Sequence, residues 1–396
     1  MSDRTETDVV VIGLGALGSA TAWQLARRGV QVIGLERYDF GHGRGASHGD
    51  SRNLRVTYHT PAYVSAARDA LADWADLESE SNRTLVQRCG GVKIFPKGTG
   101  LNLDDYTGSL DTVGVGYEQL DSEESRRRWP ALEIPEDADV LYQADAGLVP
   151  ATLCTLTMQE RARVAGAELR ERWEVGGLRT VAGGVEVVGP DGAVVAARRA
   201  VVTVDAWTNR VLAPLGFHLP LSITREHVVH FAVDGPRWSR SAPERHTPGN
   251  FPMWTWMDDP SWYGFPTHGE ASVKVGQDFG GQQVDPDSYT ASPDPDYIAR
   301  MRDFVSGLVP GAGEIIRIAS CLYTLTPDRD FVIGPVPGHP EVLLGLGSAH
   351  AFKFAPWFGR VLADLATAGA TTVDLSAFDP GRPALSGDSM PTRRPL

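Results

Sequence analysis

The sequence predicts an α/β fold in which a parallel sheet is assembled from separated segments and an α+β region with an antiparallel sheet is inserted. Three observations support this prediction. The chain opens with a strand, a glycine-rich turn and a helix, followed by a second strand. A strand, a small-residue turn and a helix recur near the end, at residues 341–346 and 356–366. Between these parts, residues 220–314 are rich in β-like and aromatic stretches.

The opening segment predicts a dinucleotide site. Residues 9–12 form a continuous apolar run, as expected for a strand that is buried on both faces of a parallel sheet. Gly13 permits a tight turn, Gly15 lets a pyrophosphate approach the backbone, and Gly18 lets the helix lie close to the strand. The second strand ends at Glu36, where a carboxylate can bind a ribose 2′-hydroxyl, and this favours NAD or FAD over NADP.

Composition limits the class of protein. A length of 396 residues is enough for two domains, and a net charge of −13 disfavours nucleic acid as a partner. We expect no membrane span and no signal peptide, since neither an apolar run of that length nor a signal-peptide core is present. The three cysteines are odd in number and far apart, which predicts no disulfide framework and a cytoplasmic location. No metal site is predicted.

The chain divides into a nucleotide domain interrupted twice by a substrate domain. We expect the nucleotide domain to comprise residues 1–85, 145–218 and 315–396, and the substrate domain to comprise residues 86–144 and 219–314. This layout favours FAD over NAD, because nicotinamide dehydrogenases typically use one uninterrupted nucleotide domain. We expect the Pro-rich tail after Asp379 to be poorly ordered.

Four stretches that follow the glycine turn carry a resemblance to a known family. They are residues 47–55 (SHGDSRNLR), 262–266 (WYGFP) with Lys274, 320–324 (SCLYT) and 350–354 (HAFKF). In this order, they resemble the sarcosine oxidase and N-methyltryptophan oxidase group of D-amino-acid-oxidase-like flavoproteins, over nearly the whole chain. The resemblance implies a Rossmann-like FAD domain, covalent FAD and oxidation of the C–N bond of secondary amino acids by oxygen.

Cys321 is the strongest single candidate. From the residues alone, a cysteine between Ser320 and Leu322 is most often a small buried residue, the interpretation that we keep for Cys89 and Cys154. The resemblance implies that Cys321 forms the thioether to the flavin 8α-methyl group. Because the attack needs a thiolate, we expect a basic neighbourhood that lowers its pKa.

Cations mark the predicted substrate and flavin sites. Arg52 and Arg55 suit an anion, although a solvated basic loop stays open as an alternative. The resemblance implies that Arg55 and Lys353 hold the substrate carboxylate, and that Arg52 and His48 lie against the flavin ring. Lys274 could occupy the solvent face of its strand, but the resemblance implies that it contacts flavin N5 through water and activates oxygen.

The remaining candidates are also implied by the resemblance. Tyr263 and His350 match polar positions that line the family's active site. Asp278 stands where relatives carry a histidine, which favours a larger or more cationic substrate than sarcosine. Asp205, Ala349 and Ala351 replace glycines. The other predicted FAD contacts are Arg37, Ser47, Val175, Ala349 and Phe352.

The sequence thus predicts a monomeric FAD-dependent oxidase that converts a secondary amino acid, N-methylated or cyclic, to an imine and reduces oxygen to hydrogen peroxide. Four alternatives remain open. They are a flavin-dependent amine dehydrogenase with another acceptor, a specialised biosynthetic imino-acid oxidase, a catalytically silent FAD-binding protein and an NAD-dependent dehydrogenase.

Overall fold

The computed structural model describes residues 4–233, 243–290 and 292–387, and it confirms the predicted fold class. The strands in these residues are β1 (Arg4–Ile12), β2 (Val32–Leu35), β3 (Arg52–Leu54), β4 (Gln87–Arg88), β5 (Gly91–Phe95), β6 (Glu118–Leu120), β7 (Asp139–Gln143), β8 (Gly147–Val149), β9 (Glu168–Arg170), β10 (Gly177–Val181), β11 (Gly184–Val188), β12 (Val194–Val202), β13 (Ser222–Ala232), β14 (Met253–Trp256), β15 (Trp262–Phe265), β16 (Ser272–Gln277), β17 (Gln282–Gln283), β18 (Ile315–Leu325), β19 (Val332–Val336) and β20 (His339–Leu346). The helices are α1 (Ala16–Ala26), α2 (Pro61–Ser81), α3 (Leu103–Val113), α4 (Ser122–Arg128), α5 (Ala151–Val164), α6 (Thr208–Leu212), α7 (Pro295–Leu308) and α8 (Ala355–Ala368).

The first sheet is parallel at its centre, in the order β9, β2, β1, β12 and β20. Antiparallel strands β11 and β19 flank β12 and β20, and β10 pairs with β11. Val9 and Val11 belong to the hydrophobic cluster on one face of β1, whereas Val10 and Ile12 belong to the cluster on the other face. Both faces are therefore buried, as the continuous apolar run predicts, and helices α1, α5 and α8 cover one of them.

The second sheet runs in the order β17, β13, β16, β15, β14, β5, β7 and β6, with β18 on the other edge of β13. Its neighbours are antiparallel except for β14 and β5. One predicted boundary is wrong in detail. Strand β18 begins at Ile315 and pairs with β13, so residues 315–325 belong to the antiparallel sheet and not to the parallel one. The division into two domains otherwise stays a prediction.

The first part of the Pro-rich tail is held in place. The Arg382 guanidinium donates to both carboxylate oxygens of Asp328, at 2.7 and 2.9 Å. This contact is contrary to the expectation of poor order directly after Asp379, whereas residues 388–396 lie outside the described residues. Within the described chain, no helix is both long enough and apolar enough to cross a membrane.

Candidate active site

One long cavity runs between the two sheets. Its first wall is formed by the turns at the carboxyl ends of β1, β2, β12 and β20, where ligands bind in open α/β sheets. Its second wall is a face of the antiparallel sheet, formed by β13, β15, β16 and β18. The cavity is lined by all of the predicted site residues except Gly18, namely Gly13, Gly15, Glu36, Arg37, Ser47, His48, Arg52, Arg55, Val175, Tyr263, Lys274, Asp278, Cys321, Ala349, His350, Phe352 and Lys353.

The glycine turn leaves no room for side chains. Gly13 has a φ of +86°, and a Cβ atom on it would lie 2.7 Å from the Thr203 carbonyl oxygen. A Cβ atom on Gly18 would lie 1.8 Å from the Gly13 carbonyl oxygen, which is why this glycine matters although it does not reach the cavity. The turn therefore places the N-terminus of α1, where the helix dipole and backbone N–H groups favour an anion, directly at the cavity.

Glu36 and Ser47 brace this turn. The Glu36 carboxylate accepts hydrogen bonds from the backbone N–H groups of Leu14, at 2.9 Å, and Tyr38, at 3.0 Å. The Ser47 hydroxyl accepts a hydrogen bond from the backbone N–H of Ala16 at 2.9 Å. Glu36, which the sequence predicts to bind the ribose, therefore also fixes the backbone of the glycine turn.

Two of the predicted flavin-contacting residues are His48, in the loop before β3, and Arg52, the first residue of β3. Arg52 donates to the backbone carbonyls of Ala46, His48 and Ser51, at 3.1, 2.6 and 3.0 Å. Burial, followed by the charge of Arg52, lowers the pKa of His48 to about 4, so its ring is neutral at pH 7. Among the described residues, its buried Nε2 atom has no protein hydrogen-bond partner. A neutral imidazole nitrogen in the wall of this cavity fits a polar group of a bound dinucleotide such as FAD.

Lys274 is buried in the cavity wall and is not on the solvent face of β16. Its ammonium group donates to the Ser51 carbonyl oxygen at 2.6 Å and to the Ser51 hydroxyl at 3.1 Å, and it lies 4.7 Å from the centre of the Phe265 ring. Burial, followed by the charge of Arg52, lowers the pKa of Lys274 well below its usual value.

Cys321 lies on β18 and lines the same cavity. Desolvation raises the pKa of its thiol, and the nearby charges of Arg52 and Lys274 offset only part of this effect. The expected lowering of the pKa is therefore wrong for this structure, although the predicted basic neighbours are present. The physical reason is that burial disfavours a thiolate by more than the two cations favour it.

Two buried basic side chains, Arg55 and Lys353, line another part of the cavity. Arg55 is 8% exposed; it donates to the Thr57 carbonyl at 3.0 Å and lies 4.6 Å from the centre of the Tyr58 ring. Lys353 is 7% exposed and donates to the His350 carbonyl at 2.7 Å. Burial, followed by the charge of Arg55, lowers the pKa of Lys353 well below its usual value.

The turn after β20 positions Lys353. Ala349 has a φ of +70°, in the left-handed region that favours glycine, so an alanine at this position is held under strain. The His350 ring stacks on Phe331 with centroids 4.5 Å apart, and its Nε2 lies 3.0 Å from the Arg329 carbonyl oxygen. A short 3₁₀ turn, Phe352–Phe354, then leads into α8.

The structure adds residues that the sequence did not single out. Arg329 is 2% exposed and contacts both carboxylate oxygens of Asp278 at 3.0 Å, so Asp278 is one half of an ion pair. Lys93, on β5, is 2% exposed, and burial followed by the charge of Arg55 lowers its pKa. A lysine within the apolar run 91–95 was the available signal for Lys93, whereas Arg329 sits in a polar run that resembles a surface turn.

Tyr263, on β15, lies in the wall of the cavity that the antiparallel sheet forms. Its hydroxyl lies 3.5 Å from that of Tyr323 on β18, and burial raises the pKa of both phenols. Both therefore stay protonated at neutral pH, and they can act as hydrogen-bond donors toward a ligand.

The chain matches known proteins over nearly its whole length. The monomeric sarcosine oxidase of Streptomyces avermitilis is 34% identical over 389 residues, which cover 95% of this chain and 97% of that protein. The N-methyl-L-tryptophan oxidase of Yersinia pestis (strain Pestoides F) is 28% identical over 385 residues, covering 95% and 99%. The solved structure of NikD, an unusual amino acid oxidase essential for nikkomycin biosynthesis, has a TM-score of 0.83 at 28% identity and covers 95% of this chain and 97% of that one.

The family comparison agrees with these relatives. Residues 8–365 match the DAO family, described as FAD dependent oxidoreductase. This match confirms the predicted family, the FAD cofactor and the assignment as an enzyme. The protein belongs to the DAO family of FAD-dependent oxidoreductases.

Proposed function

We propose that the protein is an oxidase that converts the C–N bond of a secondary amino acid, N-methylated or cyclic, to an imine and transfers the electrons to oxygen. The observation that carries this proposal is the placement of two buried cations, Arg55 and Lys353, in the same cavity as the glycine turn and Cys321. The names of the relatives, which are oxidases of sarcosine, N-methyl-L-tryptophan and an amino acid, support this substrate class.

Arg55 and Lys353 are suited to the carboxylate of the substrate. Both are less than a tenth exposed, and the charge of Arg55 is one cause of the lowered pKa of Lys353. A carboxylate offsets the repulsion between the two cations, and it accepts charge-assisted hydrogen bonds from both. Clamping the carboxylate fixes the position of the amine, and positioning of this kind supplies a large share of the rate in many enzymes.

FAD, when bound, supplies the ring that accepts two electrons from the substrate. The residues of the chain hold the substrate and control the charges around it. A substrate amine that binds in its neutral form needs no protein base. We propose that Lys274, in its protonated form, provides the positive charge beside the place where oxygen is reduced. Negative charge that develops on oxygen favours the protonated amine, and a buried cation stabilises that negative charge.

We further propose that FAD is attached through the sulfur of Cys321. This cysteine lies on the cavity wall formed by β18, whereas Cys89 and Cys154 do not line the cavity. Flavin that stays with the polypeptide after denaturation, and that is lost in Cys321→Ser, would support the attachment.

A specialised amino acid oxidase with a substrate larger than sarcosine is the second candidate. The ion pair between Asp278 and Arg329 favours it, since this pair places a fixed carboxylate in the cavity wall. A substrate with an additional hydrogen-bond donor or positive group suits that carboxylate better than sarcosine does.

The test is to mix the purified protein, without oxygen, with sarcosine, N-methyltryptophan, proline and pipecolate. We expect one of them to bleach the flavin absorbance, and we expect air to restore it with formation of hydrogen peroxide. Bleaching without rapid recovery in air would identify a dehydrogenase that uses another acceptor. No bleaching by any substrate would contradict the proposed substrate class.

Lys274→Met distinguishes reduction of the flavin by the substrate from reoxidation of the flavin by oxygen. We expect reoxidation of the reduced flavin by oxygen to slow by about 100-fold or more, as for the loss of a preorganised charge in other sites, while bleaching by substrate persists. Lys97→Met, at an exposed lysine on the turn after β5, is the matched control and should leave both rates unchanged.

A further inference from the structure

Glu226 lies on β13 directly opposite Cys321 on β18. Residues that oppose each other on antiparallel strands project from the same face of the sheet, with their Cβ atoms about 4.5–5.5 Å apart. That face is the cavity wall, because the next opposed pair, Val228 with Ala319, also lines the cavity. The side chains of Glu226 and Cys321 are therefore neighbours on one face, and, after burial, the charge of Glu226 is one cause of the raised pKa of the Cys321 thiol.

The carboxyl group of Glu226 is completely buried and closely held. Its Oε1 accepts a hydrogen bond from the Thr224 hydroxyl at 2.6 Å, and its Oε2 accepts one from the Gly280 backbone N–H at 3.1 Å. A Cβ atom on Gly281 would lie 2.8 Å from Glu226 Cδ, so this turn fits tightly around the carboxyl group. Each oxygen still has a second lone pair that can accept a proton.

We propose that Glu226 accepts the thiol proton of Cys321 while FAD becomes attached to the sulfur, an inference that rests on the covalent attachment proposed above. In the balanced reaction, the S–H bond of Cys321 and one C–H bond of the flavin 8α-methyl group break, and one C–S bond forms. Two electrons and two protons leave, and oxygen takes them up as hydrogen peroxide. Glu226 carries one of these protons and then releases it.

The other ionisable groups near Cys321 are less suited to this task. In the described part of the chain they are Arg52, Asp205, Tyr263, Lys274, Tyr297 and Tyr323. Arginine stays protonated, and burial raises the pKa of the three phenols so that they keep their protons. Burial lowers the pKa of Lys274, but its amine is held by hydrogen bonds to the Ser51 carbonyl oxygen and hydroxyl. Asp205 lies in the turn after β12, on the other wall of the same cavity, and Asp205→Asn tests it as the alternative base.

The test measures covalent flavin directly. Wild-type protein and variants, purified from flavin-starved cells, are incubated with FAD in air, denatured at intervals and analysed by intact mass. In Glu226→Gln we expect attachment to be about 100-fold slower, because general-base catalysis contributes about 10²–10⁴-fold, while the visible spectrum still reports bound FAD. Glu118→Gln, at an exposed glutamate on β6 of the same sheet, is the matched control and should attach FAD at the wild-type rate. Asp205→Asn should be slowed less than Glu226→Gln, and Glu226→Asp should recover part of the lost rate.

The outcomes separate this inference from the proposal on which it rests. A wild-type rate in Glu226→Gln, or equal slowing in Asp205→Asn, would overturn the inference. If the wild-type protein carries no covalent flavin, the proposed attachment through Cys321 is itself wrong. If Glu226→Gln does not bind FAD, the rate of FAD attachment in the wild-type protein is measured as a function of pH instead. Burial raises the pKa of Glu226 to about 7, so attachment should slow as the pH falls through that value, and a flat profile would contradict the inference.

Discussion

The two ends of the cavity are formed in different ways, one mainly by glycines and the other by buried charged side chains. The nucleotide end is centred on one continuous stretch, residues 13–36, and it depends on glycine positions that leave no room for a side chain. The end that we propose for the substrate brings together Arg55, Asp278 and Lys353 from distant parts of the chain, and it depends on buried charges. The nucleotide end should therefore be sensitive to added volume, whereas the substrate end should be sensitive to lost charge.

Gly18→Ala should have the largest effect, since it adds volume at the nucleotide end. The new Cβ atom would lie 1.8 Å from the Gly13 carbonyl oxygen, so the turn must move, and we expect a protein that retains no FAD. The flavin absorbance per polypeptide after purification measures this loss. Gly108→Ala, on α3, is the control because no atom lies within 4 Å of its Cβ, and alanine should stabilise that helix by up to about 1 kcal/mol. Full flavin content in Gly18→Ala would contradict the steric account.

Lys353→Met removes a charge at the substrate end. We expect the dissociation constant of the substrate to rise by about 30-fold or more, because loss of one partner of a buried charge pair costs about 2–5 kcal/mol. Anaerobic titration of the flavin absorbance measures the constant, and the flavin content should be unchanged. The exposed Lys97→Met is again the control. An unchanged dissociation constant would exclude Lys353 from the carboxylate clamp.

Asp278→Asn tests whether an ion pair of the substrate end also stabilises the fold. The Arg329 guanidinium is 2% exposed and would lose the carboxylate that it contacts. Breaking a fully buried ion pair costs about 3–5 kcal/mol. Because the Asp278 side chain is 22% exposed, we expect the free energy of unfolding to fall by less than this. Urea denaturation measures the change. Asp145→Asn, in an exposed pair with Arg88, should change it by no more than about 1 kcal/mol.

Lowering the pH by one unit below 6.5 should have the smallest effect, through His48, because one pKa unit corresponds to about 1.4 kcal/mol. Burial lowers the pKa of His48 from 6.5 to about 4. Between these values the unfolded chain binds a proton that the folded chain does not, so the free energy of unfolding should fall as the pH falls from 6.5 to 4. Above pH 6.5 this histidine contributes no slope. Urea denaturation across this range should give a flatter slope for His48→Asn than for the exposed His218→Asn, and equal slopes would argue against a buried neutral His48.

The sequence predicted the parallel sheet well because its signals are local. The strand, turn and helix of the opening segment follow each other within a few residues, and the apolar run 9–12 correctly indicates burial on both faces. The boundary at residue 315 was wrong because β18 joins β13, a strand that ends more than 80 residues earlier. An apolar alternating stretch predicts a strand, but it does not specify the partner of that strand.

The candidate active site shows the same difference between local signals and contacts between distant segments. The sequence and its family resemblance predicted the residues that the cavity brings together, yet neither indicated Arg329 or the direction of the Cys321 pKa. Arg329 lies in a polar run, and its burial depends on the turn after β16 that carries Asp278. A charge on an isolated segment is solvated, and only the surrounding chain decides how much of that solvation is lost.

The sequence by itself determined the glycine turn, its helix and the acid that follows β2. The contact of Gly18 with the Gly13 carbonyl and the hydrogen bond from the Leu14 N–H to Glu36 both lie within this one segment. The tertiary structure alone decided which cations are buried together, which carboxylate pairs with Arg329 and that Glu226 faces Cys321. The physical reason is that desolvation and Coulomb interactions depend on distances between segments, and a sequence does not contain those distances.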